Sequence, residues 1–444
     1  MRRLKNAIFR LVQRVFNSIA FVPTVVAVGM FLFYFLIIYL EYQPQTQSLK
    51  DNWPTLFVDD AENARTILGT LVGGIISLTV FSFSMVMVVL TRASATLSPR
   101  IIPGLITKPQ HQRTLGVYIG TIIFSLVLLT NINSVDDGFK VPGLGIFFAM
   151  LFGIVSLALF VYFIHSITRS IQVDFVMDSI FERTRGEIAN RLERLKDSRD
   201  DQSMPDIDDW IDIQNDHTGY FKKSNITELM KILSDNDICL VTLVHRGEFV
   251  AKGRPMVKVN SKIDDDVVKA ILDCFTFYIA EIADDHYTFG FNQISEIAIK
   301  ALSPGINDPG TAIRALDMLS ILFADFARHP GFDVECDDDG EPRMFYTAKD
   351  FLELLYTTLG PIREYGRKDA IVVGKLVESC INVAYADLDD NQTDGLVEFV
   401  DDIVKTSDPT IESIMDRRFI NRKVRLLNKA LGGDREVALL SHER

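Results

Sequence analysis

Four apolar runs dominate the first third of the chain: Phe21–Leu40, Ile67–Leu90, Leu115–Thr130 and Leu144–His165. A hydrocarbon core of about 30 Å takes roughly 20 helical residues to cross, so each run predicts a membrane-spanning helix. The third, at 16 residues, is short by that measure, which leaves its ends and tilt open. Ahead of the first run, residues 1–20 place Leu4, Ile8, Leu11, Val12, Val15, Phe16 and Ile19 on one helical face and basic residues on the other. That segment reads equally as a helix lying on an anionic leaflet and as a plain basic flank.

Past the fourth run, Ile167, Ile171, Phe175, Ile180, Phe181, Ile188, Leu192 and Leu195 keep helical spacing among charged residues, and a polar linker follows at Lys196–Asp209. Residues 166–209 are therefore a helical extension and a linker. The period then changes. "ICLVTLVHRGEFVAKGRPMVKV" holds two β-rich runs joined by glycine-bearing turns, and Asn225 with Glu228 three residues on marks the start of a short helix. "RGEFVAKGRPMVKV" resembles a turn of barrel-sandwich hybrid domains, without the methionine-flanked carrier lysine those folds use, so no prosthetic group is expected.

From Asp264 helical spacing returns, predicting helices at Val267–Ala283, Phe291–Leu302, Thr311–Ala327, Lys349–Glu364, Ala370–Tyr385, Asp394–Lys405 and Thr410–Leu431, the last with a basic surface that includes Arg417 and Lys423. The expected fold is mainly α. A four-helix polytopic membrane domain at 21–165 is joined to a cytoplasmic α+β region, made of a small barrel-sandwich-like β module at 210–262 and a helical domain at 263–444.

Charge adds orientation. Arg2, Arg3, Lys5, Arg10 and Arg14 precede the first span, and Arg92, Arg100, Lys108 and Arg113 separate the second from the third with no acid among them. The other two loops are acidic on balance, with Glu41, Asp51, Asp59, Asp60, Glu62, Asp136 and Asp137 against Lys50, Arg65 and Lys140. By the positive-inside rule both termini face the cytoplasm. Residues 1–165 carry 12 Lys+Arg and 7 Asp+Glu, so the formal net charge of −13 comes from the C-terminal part. That acidic balance argues against a nucleic-acid partner. Cys239, Cys274, Cys336 and Cys380 lie far apart without a CxxC and read as reduced structural thiols.

Candidate chemistry begins in span two. Thr70, Ser77, Ser84, Thr91 and Ser98 recur every seven residues. Twenty-eight helical steps cover about 42 Å, longer than the apolar core. A heptad stripe stays on one face only under slight left-handed supercoiling, as in helices gathered around an axis. It reads either as the wall of a hydrated path or as small polar residues bonding back to their own helix and packing. Arg92 and Arg100 at its cytoplasmic mouth would favour anions in a path, or bind lipid phosphate as stop-transfer charges. Gly69 with Gly73 and Gly116 with Gly120, each pair four apart, let helix backbones approach, which pairs spans two and three within or between subunits.

In "ALSPGINDPGTA", Asp308 suits a helix N-cap and Pro309 the first helical position. The alternative is a ligand or partner loop using Ser303, Gly305, Asn307, Asp308 and Thr311 around an exposed helix start. "DLDDNQTDGLVE" resembles a calcium-binding loop but has Gln392 where the sharp turn needs glycine and Asp394 where an apolar residue belongs. It reads as an acidic interhelical loop, and "CDDDGEPR" as a solvated turn. No phosphate loop, HExxH or GxSxG string occurs, and the histidines form no spaced ligand set. No metal, cofactor or catalytic residue is assigned.

"FSFSMVMVVLTRASATLSPR", "TLGVYIGTIIFSLVLL", "RGEFVAKG" and "ALSPGINDP" together resemble the bacterial predicted membrane protein family called domain of unknown function 2254. The resemblance covers nearly the whole chain and implies a bacterial inner-membrane protein with a membrane-embedded N-terminal region and a soluble C-terminal half. The family name brings no activity or catalytic residue with it. Two functions fit. One is a homo-oligomeric channel or transport protein with span two lining an anion-favouring path. The other is a membrane-anchored sensor or scaffold that binds an ion, a small anionic ligand or a protein partner through its cytoplasmic domain. The lipid bilayer and further copies of the chain are the expected partners of both.

Overall fold

The computed structural model describes residues 20–58, 60–96, 109–132, 141–170, 172–197, 204–278, 286–328, 331–432 and 435–441. The expected surface helix of residues 1–20 lies outside them except for Ala20, as do Ser98, Arg100 and residues 133–140 between the last two spans. The chain divides into two compact units, the first ending at Gln172 and the second running from Val173.

The first unit holds α1 (Phe21–Glu41), α2 (Pro44–Asn52), α3 (Ala61–Thr96), α4 (Pro109–Thr130) and α5 (Gly143–Ser170). Among the described residues, α1, α3, α4 and α5 are long and apolar enough to cross a membrane. The third span is longer than its apolar run. Polar residues 109–114 continue the helix outward, with Pro109 at its first position and Thr114 Oγ1 donating to Gln110 O at 3.1 Å.

Small residues set a close helix crossing between α1 and α4. A Cβ on Gly116 would stand 2.9 Å from Val26 Cβ and 3.0 Å from Pro23 Cα, and one on Gly120 would collide with Met30. The partner of this glycine pair is therefore span one, where the sequence pointed to span two. Aromatic side chains fill the centre: Phe33 meets Phe148 edge-on at 5.4 Å, and Phe124 meets Phe152 at 5.3 Å. The α3 helix joins this group through Ala61, Ala64 and Leu68 and by Leu71 against Gly153. At one end of the bundle Glu41 is buried, paired with Lys50, and its Oε2 accepts from Leu144 N at 2.9 Å. Glu41 thus caps α5 from the last turn of α1.

The second unit begins with α6 (Val173–Asp197). There follow β1 (Ile211–Gln214), β2 (Gly219–Ser224), α7 (Ile226–Asp235), β3 (Leu240–Thr242), β4 (Phe249–Val250), β5 (Pro255–Val259), α8 (Asp265–Asp273) and β6 (Phe275–Tyr278). Helices α9 (Tyr287–Ala301) and α10 (Pro309–Phe326) come next, then the hairpin β7 (Phe332–Cys336) and β8 (Pro342–Thr347). The chain closes with α11 (Phe351–Gly366), α12 (Ala370–Ala384), α13 (Asp390–Ser407) and α14 (Ile414–Leu431).

The strands form a five-stranded sheet in the order β1-β5-β3-β8-β7 and a three-stranded sheet β4-β2-β6. The β region is thus not closed at residue 262. Val241 pairs in parallel with Phe345, and the long helix expected at Val267–Ala283 ends at Asp273, where residues 275–278 turn into a strand beside β2. The period-2 pattern separates the faces of the larger sheet. Leu240, Met344 and Val257 enter one core, while Val241, Phe345 and Val334 enter another beside Trp210.

The helices pack on one another through tight crossings. Gly290 of α9 lies against Thr184 of α6, and a Cβ there would overlap the threonine hydroxyl. Arg314 of α10 holds Asp178 of α6 at 2.8 and 3.0 Å. Of the residues expected on the basic surface of α14, Arg417 is buried instead, paired with Asp408 and donating to Ser441 O at 2.9 Å. Lys423 is paired with Glu378. The acidic segment at Asp387–Glu398 is mostly helix, started by a reciprocal capping box between Asp389 and Gln392. The four cysteines are free thiols, and burial pushes Cys380 up to about 12.

Candidate functional site

A cavity of about 370 Å³ opens in the second unit, within the range typical of small-molecule sites. Distant parts of the chain build it: the last turns of α6, the start of α7, the turn after β3, the start of α9, and the β7–β8 hairpin with the residues that follow it. Gly247 holds the turn after β3, with φ of +86°, a conformation that favours glycine, and so positions His245 and Arg246 at the rim.

Arg191 organises one wall. Its guanidinium pairs with Asp333, Nε donating to Oδ1 at 3.0 Å, and lies 5.2 Å from the Tyr287 ring centroid. Arg191 Nη1 also approaches His286 Nε2 at 3.4 Å. A guanidinium only donates, so Nε2 is the acceptor and the ring proton sits on Nδ1. Nδ1 in turn stands 2.9 Å from Thr288 Oγ1 and donates to it. Burial, then Arg191 and Arg246, hold His286 well below the usual imidazole value. It is a neutral acceptor fixed in one tautomer.

Tyr287 lies next to it, 3% exposed, with its hydroxyl buried near the Arg191 guanidinium and the Lys349 backbone. Burial raises its pKa, so it stays protonated. Across the cavity Tyr346 is fixed by a 2.6 Å hydrogen bond between its hydroxyl and Ser224 Oγ, and Arg246 lies over its ring at 5.8 Å. His245 Nδ1 donates to Thr347 O at 3.0 Å, tying the rim turn to the hairpin. The lining carries Arg191, Arg246 and Lys349 against Glu187, Asp333 and Glu335. Among the described residues no group of His, Cys, Asp and Glu could hold a metal ion.

The residues singled out in the sequence lie elsewhere. Thr70, Ser77, Ser84 and Thr91 are exposed on α3. Ser77 Oγ donates to Gly73 O at 2.9 Å, Ser84 Oγ to Val80 O at 3.0 Å and Thr91 Oγ1 to Met87 O at 2.9 Å. The donors are thus satisfied within the helix, and the lone pairs face outward. On the same helix a Cβ at Gly69 or Gly73 would meet nothing within 4 Å. Arg92 is exposed near the other end of this helix, while Ser98 and Arg100 lie outside the described residues.

The loop before α10 is spent on its own structure. Asp308 caps the helix, accepting from Thr311 N at 3.2 Å and Thr311 Oγ1 at 2.6 Å, with Pro309 at the first position. Ser303 Oγ donates to Lys300 O at 2.6 Å, and Asn307 takes a φ of +50° that asparagine tolerates. Gly305 is open to solvent. The start of α10 already holds a carboxylate of its own chain.

The chain belongs to the family described as Predicted membrane protein (DUF2254), whose model matches residues 17–382. It is similar to Uncharacterized protein Mb1321c of Mycobacterium bovis and to Uncharacterized protein Rv1290c of Mycobacterium tuberculosis, each 26% identical over 329 residues. The match covers 71% of this chain and 61% of each of theirs, so this chain spans under two thirds of the relatives' length. No solved structure matches.

Proposed function

We propose that this chain is a membrane-anchored sensor of the bacterial inner membrane, with both termini in the cytoplasm, whose C-terminal body binds a small molecule in the cavity between α6, α9 and the β7–β8 hairpin. The observation that carries this reading is the cavity itself, walled by the Arg191–Asp333 pair and by a neutral His286 held in one tautomer. A concave site of this size with a few fixed polar groups is the usual form of a small-molecule site. The reading assigns binding rather than catalysis. Its test is a ligand screen on the full chain in detergent, followed by unfolding temperature. A ligand that stabilises the native chain and loses that effect in Tyr287→Phe supports the reading, and a screen without a single Tyr287-dependent ligand opposes it.

A second reading rests on α3. Gly69, Gly73, Ser77, Ser84 and Thr91 are all exposed, so this side of span two meets lipid or another copy of the chain. Small residues at such spacing favour helix association in lipid, and outward lone pairs suit a hydrated axis. A homo-oligomer gathered on α3 would then conduct ions, with Arg92 and Arg100 favouring anions. Flux in liposomes that falls in Ser84→Leu and Thr91→Leu supports conduction, whereas a monomer with silent bilayers removes it.

A further inference from the structure

Three cations line the cavity, and they are not equivalent. Arg191 is neutralised by its two-point pairing with Asp333. Lys349 stands 3.4 Å from Glu353. Arg246 lies over the Tyr346 ring and pairs with no carboxylate among the described residues. Its planar fork keeps donors for a carboxylate, which it can bind at two points.

Two features define the rest of the ligand. Rings border the cavity: Tyr287, tilted against Phe326 at 5.1 Å, Tyr346, fixed by Ser224, and Phe221. Such walls suit a flat apolar body. Glu187, Asp333 and Glu335 line the cavity together with Arg191, Arg246 and Lys349, so its charges balance and leave no excess of cations for a ligand with several negative charges. A nucleoside polyphosphate fits that field poorly, and a single negative charge fits it well.

We infer that the cavity takes a small aromatic monocarboxylate, its carboxylate on Arg246, its ring among Tyr287, Tyr346 and Phe221, and a polar group on Tyr287 Oη. The inference rests on the ligand-binding reading above and goes on to name the ligand class.

The test is calorimetric titration of the full chain in nanodiscs with indole-3-acetate, benzoate, acetate, benzyl alcohol, benzamidine and adenosine monophosphate. The expected result is saturable binding of an aromatic carboxylate, with acetate and benzyl alcohol weaker by about tenfold or more. Arg246→Met weakens the carboxylate by about tenfold or more in a protein that still unfolds cooperatively, while Arg246→Lys retains part of the affinity. Arg246→Lys keeps the charge and serves as the measure if Arg246→Met does not fold.

Binding of benzamidine or adenosine monophosphate in place of the carboxylates, lost in Tyr287→Phe, overturns the ligand class and leaves the site standing. Aromatic carboxylate binding unchanged by both Arg246 variants overturns the assignment to this cavity. If no probe binds and a wider screen finds no Tyr287-dependent ligand, both the class and the sensor reading fail.

Discussion

The carboxylate of Glu41 accepts a hydrogen bond from the backbone amide of Leu144 at 2.9 Å, tying the end of the first span to the start of the fourth. Lys50 completes the arrangement by pairing with the same carboxylate, and both side chains are largely buried. A buried ion pair is costly to break on one side, because the survivor is left charged and unpaired. Glu41→Gln keeps the shape and an acceptor for Leu144 but strands Lys50. It should lower stability by about 3 kcal/mol or more. The double variant Glu41→Gln with Lys50→Met should lose less than the two single losses combined. Thermal unfolding of the full chain in detergent measures all three, and strict additivity would show that the pair is not coupled.

The contact between Gly290 and Thr184 makes a sharper packing prediction. A methyl at residue 290 has no room while Thr184 keeps its rotamer, since the hydroxyl donates to Ile180 O at 2.7 Å and lies in the space required. Gly290→Ala should cost about 1–3 kcal/mol as overpacking, despite the gain in helix propensity. Adding Thr184→Ala should recover part of that loss. A stable Gly290→Ala with no response to the second substitution would refute the close approach.

Acidification should destabilise the second unit through His286. Its folded pKa lies well below 6.5, so below about pH 6.5 the unfolded chain binds a proton that the folded one refuses. Stability is therefore flat above that value on account of this group and falls as the pH drops towards the folded pKa. His286→Gln removes the titration, and its stability should fall less steeply from pH 7 to pH 5 than that of the wild type. Equal slopes in the two proteins would mean that His286 is protonated in the folded state.

Asp308 tests whether the loop before α10 is a cap. Asp308→Ala should lower stability by about 0.5–2 kcal/mol, and Asp308→Asn by much less, because asparagine also caps. If ligand binding in the cavity survives Asp308→Ala, the loop acts through stability alone.

The membrane part of the fold was legible because hydropathy is a local signal, and runs such as Phe21–Leu40 announce themselves without knowledge of their neighbours. The polar first turn of α4 was not, since Gln110 and Gln112 carry no apolar period. In the second unit helix starts were readable from Asn225 and Asp308, which cap by local chemistry. Strands were harder. "CFTFYIA" is an apolar run that fits a buried helix and a buried strand alike, and only pairing with β2 decides it. Of the cavity's lining, Val244, His245 and Arg246 fall in "ICLVTLVHRGEFVAKGRPMVKV", which reads only as strands and turns, and the other walls fall in no motif. Arg191, Arg246, His286 and Tyr346 are spread over more than 150 positions, and only the β3–β8 pairing and the α6–α9 crossing bring them together. Their one local sign was aromatic and basic residues near turns, which is common on any surface.

The parallel register between β3 and β8 also bears on how the protein is made. When residues 240–242 leave the ribosome, β5 soon covers one edge of that strand, while the other stays open until residues 342–347 emerge. An open strand edge is a template for wrong partners. During synthesis the nascent body therefore carries an unfinished seam, and slow translation between α8 and β8 should lower the yield of folded protein.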